Sequence, residues 1–397
     1  MTALAPIRLE RPGTPRLAVL PPLSIYVHIP WCLRKCPYCD FNSHETKDTL
    51  PEGEYVDALF GDLELLLPSI WGRRAVSIFI GGGTPSLFSP ASIERLLSGL
   101  RARLPLEPGA EITLEANPGT VEAERFRGYA DAGVNRLSIG VQSFDDAQLA
   151  ALGRIHSAHQ ARRALDLAMA YFDNVNIDLM YGLPGQSLAQ AQADLSEAAR
   201  IGATQISAYQ LTIETNTAFY RRPPVLPEHD LCADMQRMAE NALAAAGYGH
   251  YETSAFARPG KRCRHNLNYW RFGDYLGLGA GAHGKLSFAD RITRHARIKA
   301  PHEYLAGARR GSTLAEERTV SAPELPLEFM LNALRLTEGF DEALFPLRTG
   351  LPGAAIAAPL ASALEQGLIE RDGVRLRPSE RGRLFLNDLL ALFLDKD

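Results

Sequence analysis

The sequence predicts an α/β protein in which a partial (β/α)6 TIM-like barrel is followed by a small winged-helix-like α+β module. Short apolar, β-branched segments alternate with helical patterns six times, and a helix–hairpin–helix pattern ends the chain. No Gly-rich dinucleotide-binding fingerprint follows the first predicted strand. Alternation at this spacing is typical of parallel βαβ units, and the missing fingerprint favours a barrel over a Rossmann sheet.

The predicted elements follow one another along the chain. Strands are predicted at 24–29, 76–80, 111–115, 135–141, 174–179 and 204–211. The apolar spacing predicts helices over 53–67, 89–103, 121–132, 158–171, 187–201 and 227–246. Near the C-terminus, the pattern predicts a helix over 355–367, a hairpin over 368–377 that turns at Asp372-Gly373, and a helix capped by Ser379.

Four parts of the chain are predicted from these elements. Residues 1–22 are expected to be a flexible leader, and residues 23–250 form the barrel. Residues 251–320, rich in Gly, aromatic residues and His, are expected to be an insert or linker. Residues 321–397 form the winged-helix-like module.

Composition excludes several classes of protein. With 46% hydrophobic and 22% charged residues, the 397-residue chain is typical of a soluble globular protein. The net charge of −4 argues against a nucleic-acid binder. No signal-peptide core and no apolar stretch near the roughly 18 residues of a membrane span is present, so we expect a cytoplasmic protein that is not an integral membrane protein.

Three of the five cysteines lie within eight residues, directly after the first predicted strand. Cys32, Cys36 and Cys39 are spaced C-x3-C-x2-C, which suits a ligand cluster in a reducing compartment better than a disulfide framework. Three thiolates on one loop can hold three irons of a [4Fe–4S] cluster and leave the fourth iron open. The alternative is a structural zinc site, whose fourth ligand would come from His28, Asp40 or His44.

The cysteine triplet, with the aromatic Tyr38 inside it, resembles the signature of the radical S-adenosylmethionine (SAM) superfamily. The resemblance implies that the open iron is chelated by the amino and carboxylate groups of SAM. In that superfamily, an electron from the reduced cluster cleaves SAM to methionine and a 5′-deoxyadenosyl radical.

Further polar or Gly-rich positions follow the predicted strands. Taken singly, each can be explained without a bound ligand: IGGGTPSLF as a tight turn, Glu115 as a solvated strand end and Arg154 as a charge on a helix surface. Strand ends that meet on one rim are where barrel enzymes place function. Together with Tyr26, the order and spacing of these positions along the chain resemble those of the oxygen-independent coproporphyrinogen III oxidase family. The resemblance implies SAM contacts at Tyr26, Gly82, Gly83, Thr84, Glu115, Gln142, Arg154 and Asp178.

Two details separate the branches of that family. The true oxidases carry a fourth cysteine two positions after the third, where this chain has Phe41. The string His265, Asn266, Tyr269 and Trp270 (H-N-x-x-Y-W) resembles the haem-binding signature of the haem-chaperone branch, the HemW type. A neutral imidazole is a good ligand for haem iron, and Tyr and Trp offer flat surface to a porphyrin.

Ordinary structural roles stay open for the histidines and remaining cysteines of this region. His265 and Trp270 could be core residues of a strand-rich insert. Cys232 and Cys263 are predicted to be buried thiols, with Cys263 as an alternative haem ligand. His283 is either a porphyrin neighbour or a plain loop histidine.

The resemblance implies a haem chaperone with a [4Fe–4S] cluster and SAM that delivers haem to acceptor haem proteins, including membrane respiratory enzymes. A homodimer joined through the cluster is an arrangement that the resemblance allows. The alternative is an enzyme that oxidatively decarboxylates coproporphyrinogen III to protoporphyrinogen IX. A zinc-stabilised binding protein without SAM is the third class.

Overall fold

Parallel strands form the centre of the fold, which the computed structural model describes over residues 14–46, 48–120 and 123–394. The strands are β1 (Leu23–Ile29), β2 (Trp31–Cys32), β3 (His44–Glu45), β4 (Ala75–Gly82), β5 (Leu106–Ala116), β6 (Arg136–Gln142), β7 (Val175–Tyr181), β8 (Gln205–Gln210), β9 (Gly249–Glu252), β10 (Ala255–Ala257), β11 (Asp274–Leu278), β12 (His283–Ser287), β13 (Ile292–Arg297), β14 (Leu314–Thr319), β15 (Phe340–Asp341), β16 (Ile369–Asp372) and β17 (Arg375–Pro378).

The helices cover the outside of this sheet and build the C-terminal module. They are α1 (Glu52–Leu66), α2 (Pro90–Arg103), α3 (Ala123–Asp131), α4 (Asp146–Ala151), α5 (Ala158–Tyr171), α6 (Leu188–Ile201), α7 (Ala218–Arg221), α8 (His229–Ala245), α9 (Arg264–Trp270), α10 (Pro301–Arg309), α11 (Leu325–Ala333), α12 (Leu344–Thr349), α13 (Ala354–Glu365), α14 (Glu380–Leu384) and α15 (Leu386–Ala391). Helix α3 begins at Ala123, and the first two residues of the predicted 121–132 helix lie outside the described residues.

Six parallel strands confirm the predicted barrel core. The main sheet has the order β14-β13-β12-β11-β1-β4-β5-β6-β7-β8-β10-β9, and β1, β4, β5, β6, β7 and β8 pair in parallel in chain order. Because their carboxyl ends point the same way, the segments that follow these strands meet at one rim of the sheet. The barrel is partial, since the sheet ends at β14 and β9 in the described residues.

Successive strand residues separate an apolar outer layer from a polar interior. Ile25 and Ile78 belong to the apolar cluster that the helices cover, and both are fully buried. Their neighbours Ser24 and Ser77 are buried as well, with hydroxyl oxygens 2.8 Å apart. A buried polar group is stable only when it is hydrogen-bonded, so these pairs fix how neighbouring strands align inside the barrel.

The segment predicted as an insert, 251–320, is built into the sheet. Strand β11 pairs in parallel with β1, and β12, β13 and β14 follow as antiparallel neighbours. At the other end of the sheet, β10 pairs antiparallel with β8. This pairing joins residues far apart in sequence, which the local pattern of the segment does not reveal.

The C-terminal module has the predicted helix–hairpin–helix order. Helix α13 precedes the antiparallel strands β16 and β17, and Gly373 adopts a φ of 57° in the turn between them. The Ser379 hydroxyl accepts a hydrogen bond from the Gly382 N–H, so Ser379 caps α14 as predicted. Phe329, Phe345 and neighbouring apolar side chains form a separate core for this module.

Part of the predicted leader packs against the folded chain. Residues 1–13 lie outside the described residues. The Arg16 N–H donates to the Gly350 carbonyl and the Leu17 N–H to the Ala289 carbonyl, each at 3.0 Å, and the Leu17 side chain is buried in the core of the C-terminal module. Residues 16 and 17 are thus held in place rather than free. None of the helices described here is long and apolar enough to cross a membrane.

Candidate functional site

The carboxyl ends of the parallel strands surround a cavity of about 430 Å³. Eleven of the twelve cluster and SAM residues named from the sequence line it: Cys32, Cys36, Tyr38, Cys39, Gly82, Gly83, Thr84, Glu115, Gln142, Arg154 and Asp178. The structure therefore brings these residues together from five strands and three loops. Tyr26 is not part of the lining.

The loop that carries the cysteines is fixed at both ends by backbone pairing. Strand β2 pairs in parallel with β3, and the Thr46 N–H donates to the Cys32 carbonyl at 3.0 Å. Inside the loop, the Cys39 N–H donates to the Cys36 carbonyl at 3.1 Å. Cys32 is buried, whereas Cys36 and Cys39 are half-buried on the side of the cavity. The loop therefore presents three thiols to one space.

The surroundings of Cys32 and Cys39 favour the protonated thiol while no metal is bound. Burial, with the nearby Cys39, raises the pKa of the Cys32 thiol to about 11, and burial also raises the pKa of Cys39. Thiolate, not thiol, is the form that ligates metal. Binding of a cationic iron centre here would therefore release protons.

His28, one of the three candidates for a fourth protein ligand, is already engaged. His28 Nε2 donates to the Asn42 carbonyl at 2.8 Å, and His28 Nδ1 lies 2.8 Å from the Tyr26 hydroxyl. Both ring nitrogens thus have partners, and Asp40 is exposed. In the described ranges, no three His, Cys, Asp or Glu side chains are grouped so that they could hold one metal ion. Three thiols facing an open cavity fit a cluster that keeps one position for another ligand.

Tyr26 lies behind the cavity wall. Its hydroxyl meets His28, and its ring stacks on Phe79 with 6.2 Å between ring centroids. Since His28 in turn bonds the Asn42 carbonyl, Tyr26 and His28 connect β1 to the cysteine loop. The predicted SAM contact of Tyr26 stays a prediction.

Arg154 lies beside the cysteine loop rather than on an open helix surface. Its Nη1 donates to Cys36 Sγ at 3.7 Å and its Nη2 to the Gly140 carbonyl at 2.6 Å. The buried Nε has no hydrogen-bond partner among the described residues. A guanidinium in this place stabilises negative charge on the Cys36 sulfur and leaves a donor for a bound group.

The Gly-rich loop after β4 approaches the cysteine loop so closely that side chains are excluded. The Gly83 N–H donates to the Ile29 carbonyl and the Thr84 N–H to the Trp31 carbonyl, each at 2.7 Å. These hydrogen bonds position the residues just before Cys32.

Two carboxyl groups lie together in the cavity wall. Glu115 Oε2 accepts from the Gly82 N–H at 3.1 Å, and Asp178 accepts from the Ser138 hydroxyl at 2.9 Å. Burial, and then the charge of Asp178, raises the pKa of Glu115 to about 8. Burial also raises the pKa of Asp178. Two acids that resist ionisation are well placed to bind a cationic ligand, which would favour their charged forms.

Gln142 adopts a backbone conformation that is rare for its residue type. Its φ is 69°, at an irregularity in the pairing of β6 with β7. Such strain is concentrated at functional sites, where it directs a side chain. Here it places the Gln142 amide against the cavity.

Replacing Glu115 with Gln should change how stability depends on pH. The folded protein holds the Glu115 proton up to about pH 8, whereas the unfolded chain releases it near pH 4.5. The contribution of Glu115 to the free energy of unfolding is therefore fully present below pH 4.5 and is lost as the pH rises through 8. We expect Glu115→Gln to stabilise the cluster-free protein at pH 9 by on the order of 2 kcal/mol, with a much smaller effect at pH 5. Urea unfolding at both pH values measures the difference. The exposed Glu107, replaced by Gln, is the control, and equal effects of the two substitutions would contradict the assignment.

Sequence reasoning missed several cavity residues. Ser138, Met180 and Tyr209 also line the cavity, on β6, β7 and β8. Each lies in a strand whose end the sequence located, so alternation along the strand was the signal that could have found them.

The H-N-x-x-Y-W string forms helix α9, which packs against β1, β4 and β11. His265 is buried: its Nδ1 lies 3.0 Å from the Ser77 hydroxyl, and its ring is 4.9 Å from the Phe79 ring. Burial, with the nearby Arg136, lowers the pKa of His265 to about 3, so its imidazole is neutral. This placement corresponds to the core alternative, and direct haem contact by His265 stays a prediction.

The remaining residues of the string are half-buried. Asn266 lies on α9, the Tyr269 ring packs on Tyr275 at 4.4 Å, and the Arg335 guanidinium lies 4.4 Å from the Trp270 ring. Their haem contacts stay predictions.

Cys263 and Cys232 are buried, in agreement with their interpretation as core thiols. Cys263 Sγ donates to Glu111 Oε1 at 3.4 Å, and the same carboxyl accepts from the His265 N–H at the start of α9. Cys232 lies on α8.

Comparisons with known proteins agree with this arrangement. The Radical SAM superfamily profile matches residues 26–198, and the HemN C-terminal domain profile matches residues 320–385. Coproporphyrinogen III oxidase (HemN) from Escherichia coli has the same fold, with a TM-score of 0.78 at 24% identity over 94% of this chain and 90% of that one. The fold and the cysteine-lined cavity therefore define a radical SAM protein, and that superfamily implies a [4Fe–4S] cluster and SAM.

Relatives with higher sequence identity show which family within this superfamily the chain belongs to. The heme chaperone HemW of Escherichia coli is 51% identical over 94% of this chain and 99% of its own length. HemW of Haemophilus influenzae is 50% identical over 95% of this chain and 99% of its own. HemW of Mycobacterium tuberculosis is 35% identical, with 98% of each chain covered. The chain belongs to the HemW family.

Proposed function

We propose that this protein is a haem chaperone, which binds haem as cargo and passes it to acceptor haem proteins. The observation that carries the proposal is the 51% identity with a HemW chaperone over nearly the whole of both chains. The cavity at the strand ends supports it, because its residues suit the cluster and SAM that the superfamily implies.

Cys32, Cys36 and Cys39 would hold the cluster, and the strand-end residues would hold SAM. When bound, the reduced cluster supplies an electron to SAM. The chain's own part is to position these groups: Arg154 donates to Cys36, and the loop after β4 anchors the residues before Cys32. Glu115 and Asp178 offer two carboxyl groups to the cationic parts of SAM.

The acceptors, the compartment and the assembly complete the proposal. Membership of the HemW family supports acceptor haem proteins in general, among which we include membrane respiratory enzymes. A cytoplasmic location and a cluster-joined homodimer are further parts of the same hypothesis. The exposed Phe41, where the oxidase branch carries its fourth cysteine, gives the cysteine loop an apolar surface.

His265 has limited access to cargo in the described conformation. Its ring is enclosed by Ser77, Phe79 and Tyr269. An iron bond from His265 would therefore require α9 to move away from β4. Substitution of His265 therefore tests whether this helix supplies an iron ligand.

Coproporphyrinogen III oxidase is the second candidate, because HemN shares the fold. The test supplies the anaerobically reconstituted protein with SAM and a reductant, together with either haem or coproporphyrinogen III. We expect stoichiometric haem binding, visible in the absorption spectrum, and no protoporphyrinogen IX. Formation of protoporphyrinogen IX would overturn the chaperone proposal, as would failure to bind haem.

A further inference from the structure

We infer that the Ser43 hydroxyl donates a hydrogen bond to the Cys39 sulfur of the cluster and thereby raises the reduction potential of the cluster. This role rests on the proposed function, in which Cys32, Cys36 and Cys39 hold a [4Fe–4S] cluster. It adds a residue that adjusts the redox chemistry of the cluster without being a ligand. Ser43 follows Cys39 by four residues and lines the same cavity.

The Ser43 side chain faces the cysteines rather than water. Only 7% of Ser43 is exposed, and its hydroxyl oxygen lies 3.7 Å from Cys39 Sγ, within hydrogen-bond distance for sulfur. Either atom can donate while Cys39 is a thiol, but a thiolate that ligates iron has no proton to donate. In the cluster-bound protein, the hydrogen bond therefore runs from the Ser43 hydroxyl to the sulfur.

The pKa values of two cysteines agree with this direction. Burial raises the pKa of both Cys32 and Cys39, and the hydrogen bond with Ser43 lowers it in both cases. A contact that lowers the pKa of a thiol stabilises the charged sulfur relative to the neutral one. Ser43 thus stabilises negative charge on this side of the cavity.

Hydrogen bonds on both sides fix the backbone of Ser43. The Ser43 N–H donates to the Phe41 carbonyl at 2.7 Å, and the Lys35 ammonium donates to the Ser43 carbonyl at 3.3 Å. Directly after Ser43, the His44 N–H donates to the Pro30 carbonyl at 2.7 Å, beside the pairing of β3 with β2. Because the backbone is fixed, the hydroxyl is held in position before the cluster binds.

Asn42 connects the same turn to a distant part of the sheet. Its side-chain amide donates to the Ala280 and Lys299 carbonyls, each at 2.9 Å, which lie 238 and 257 positions further along the chain. The Asn42 carbonyl accepts from His28 Nε2 at 2.8 Å. The turn that carries Ser43 is therefore held by the barrel as well as by its own hydrogen bonds.

A donor on a ligating sulfur favours the reduced cluster. Reduction adds one electron, so the cluster and its thiolates become more negative, and no bond to Ser43 is made or broken. Hydrogen bonds to the sulfurs stabilise this added charge and raise the reduction potential. Two of the three cysteines then have a donor on their sulfur, Arg154 for Cys36 and Ser43 for Cys39.

The test is a potentiometric titration of the anaerobically reconstituted protein without SAM, with dithionite as the reductant and electron paramagnetic resonance of the reduced cluster as the readout. We expect Ser43→Ala to keep about four irons per chain and to have a lower midpoint potential. At a fixed potential, the ratio of reduced to oxidised cluster should fall about tenfold, which for one electron equals about 59 mV. The control is Ser98→Ala, an exposed serine on α2, which should leave the potential unchanged.

Two further measurements separate the hydrogen bond from a general effect on the loop. Ser43→Thr keeps the hydroxyl and should keep the wild-type potential. Electron–nuclear double resonance of the reduced wild-type cluster should show a proton coupling that exchanges in D2O and is lost in Ser43→Ala.

Three results would overturn the role of Ser43 and leave the chaperone function standing. They are a wild-type potential in Ser43→Ala, an equal fall of the potential in Ser43→Thr, and loss of the cluster iron from Ser43→Ala. The last result would show that Ser43 only holds the loop together. A wild-type protein that binds no iron would instead overturn the cluster on which the proposed function depends.

Discussion

Replacement of Cys36 by Ser is expected to abolish cluster binding. Cys36 is one of three thiols that face the cavity, and its sulfur also accepts from Arg154 at 3.7 Å. A cluster with two remaining protein ligands would lose its anchorage, so bound iron should fall from about four atoms per chain to nearly none. Iron analysis and the visible absorbance after anaerobic reconstitution measure the loss.

Cys232→Ser is the matched control, because Cys232 lies in the core on α8, away from the cysteine loop. It should keep the wild-type iron content. The cluster assignment would be contradicted by a Cys36→Ser protein that retains its iron, or by stoichiometric zinc in the wild-type protein. Haem binding by Cys36→Ser would show that cargo and cluster occupy separable sites.

Replacement of Gly83 by Ala is expected to destabilise the protein and to impair cluster binding, although Gly83 is not a metal ligand. An added Cβ would lie 2.8 Å from the Trp31 carbonyl carbon and closer still to its oxygen, and both atoms are backbone. Relief requires the β4 loop and the residues before Cys32 to separate, which breaks the hydrogen bond from Gly83 to Ile29. We expect a loss of about 2–4 kcal/mol in the free energy of unfolding.

Urea unfolding and iron content together measure this effect. The control is Gly61→Ala on α1, where no atom lies within 4 Å of the added Cβ. In a helix this change should be neutral or stabilise by about 0.5–1 kcal/mol. Wild-type stability and iron content in Gly83→Ala would show that the two loops are not in the close contact described here.

The barrel core and most of the cavity could be predicted from the sequence, because both depend on local patterns. Short apolar segments in the sequence mark the positions of β1 and β4–β8. Parallel pairing then brings the carboxyl ends of these strands together. Glu115 and Asp178 could be placed at one rim for that reason. The cysteine spacing is equally local, since the three thiols lie on one loop.

Features that depend on contacts between distant segments could not be predicted. Arg154 was assigned to the SAM site through the family resemblance alone, because nothing in its own sequence neighbourhood shows that Cys36 would lie against it. The sequence likewise does not show that carbonyl groups just before Cys32 would accept hydrogen bonds from the N–H groups of Gly83 and Thr84. His265 was interpreted from its string, whereas its burial results from β1, β4 and β11 meeting around α9.

A second groove, lined by residues of strands β11–β14, illustrates the same limit. Its residues come from four strands, and the antiparallel pairing that aligns His283, Arg294 and Arg318 has no periodic signal in the sequence. His283 could therefore only be noted as a histidine near the string. The structure places it on an open face beside two arginines.

Transfer of haem to an acceptor tests the central claim most directly. The haem-loaded, cluster-containing protein is mixed with a haem-free acceptor protein, and the two are separated and analysed for haem by absorption. The account predicts that haem moves to the acceptor in a stoichiometric amount and that the acceptor gains its holo spectrum. Haem that stays on this protein, or a wild-type protein that binds no haem and converts coproporphyrinogen III instead, would contradict it.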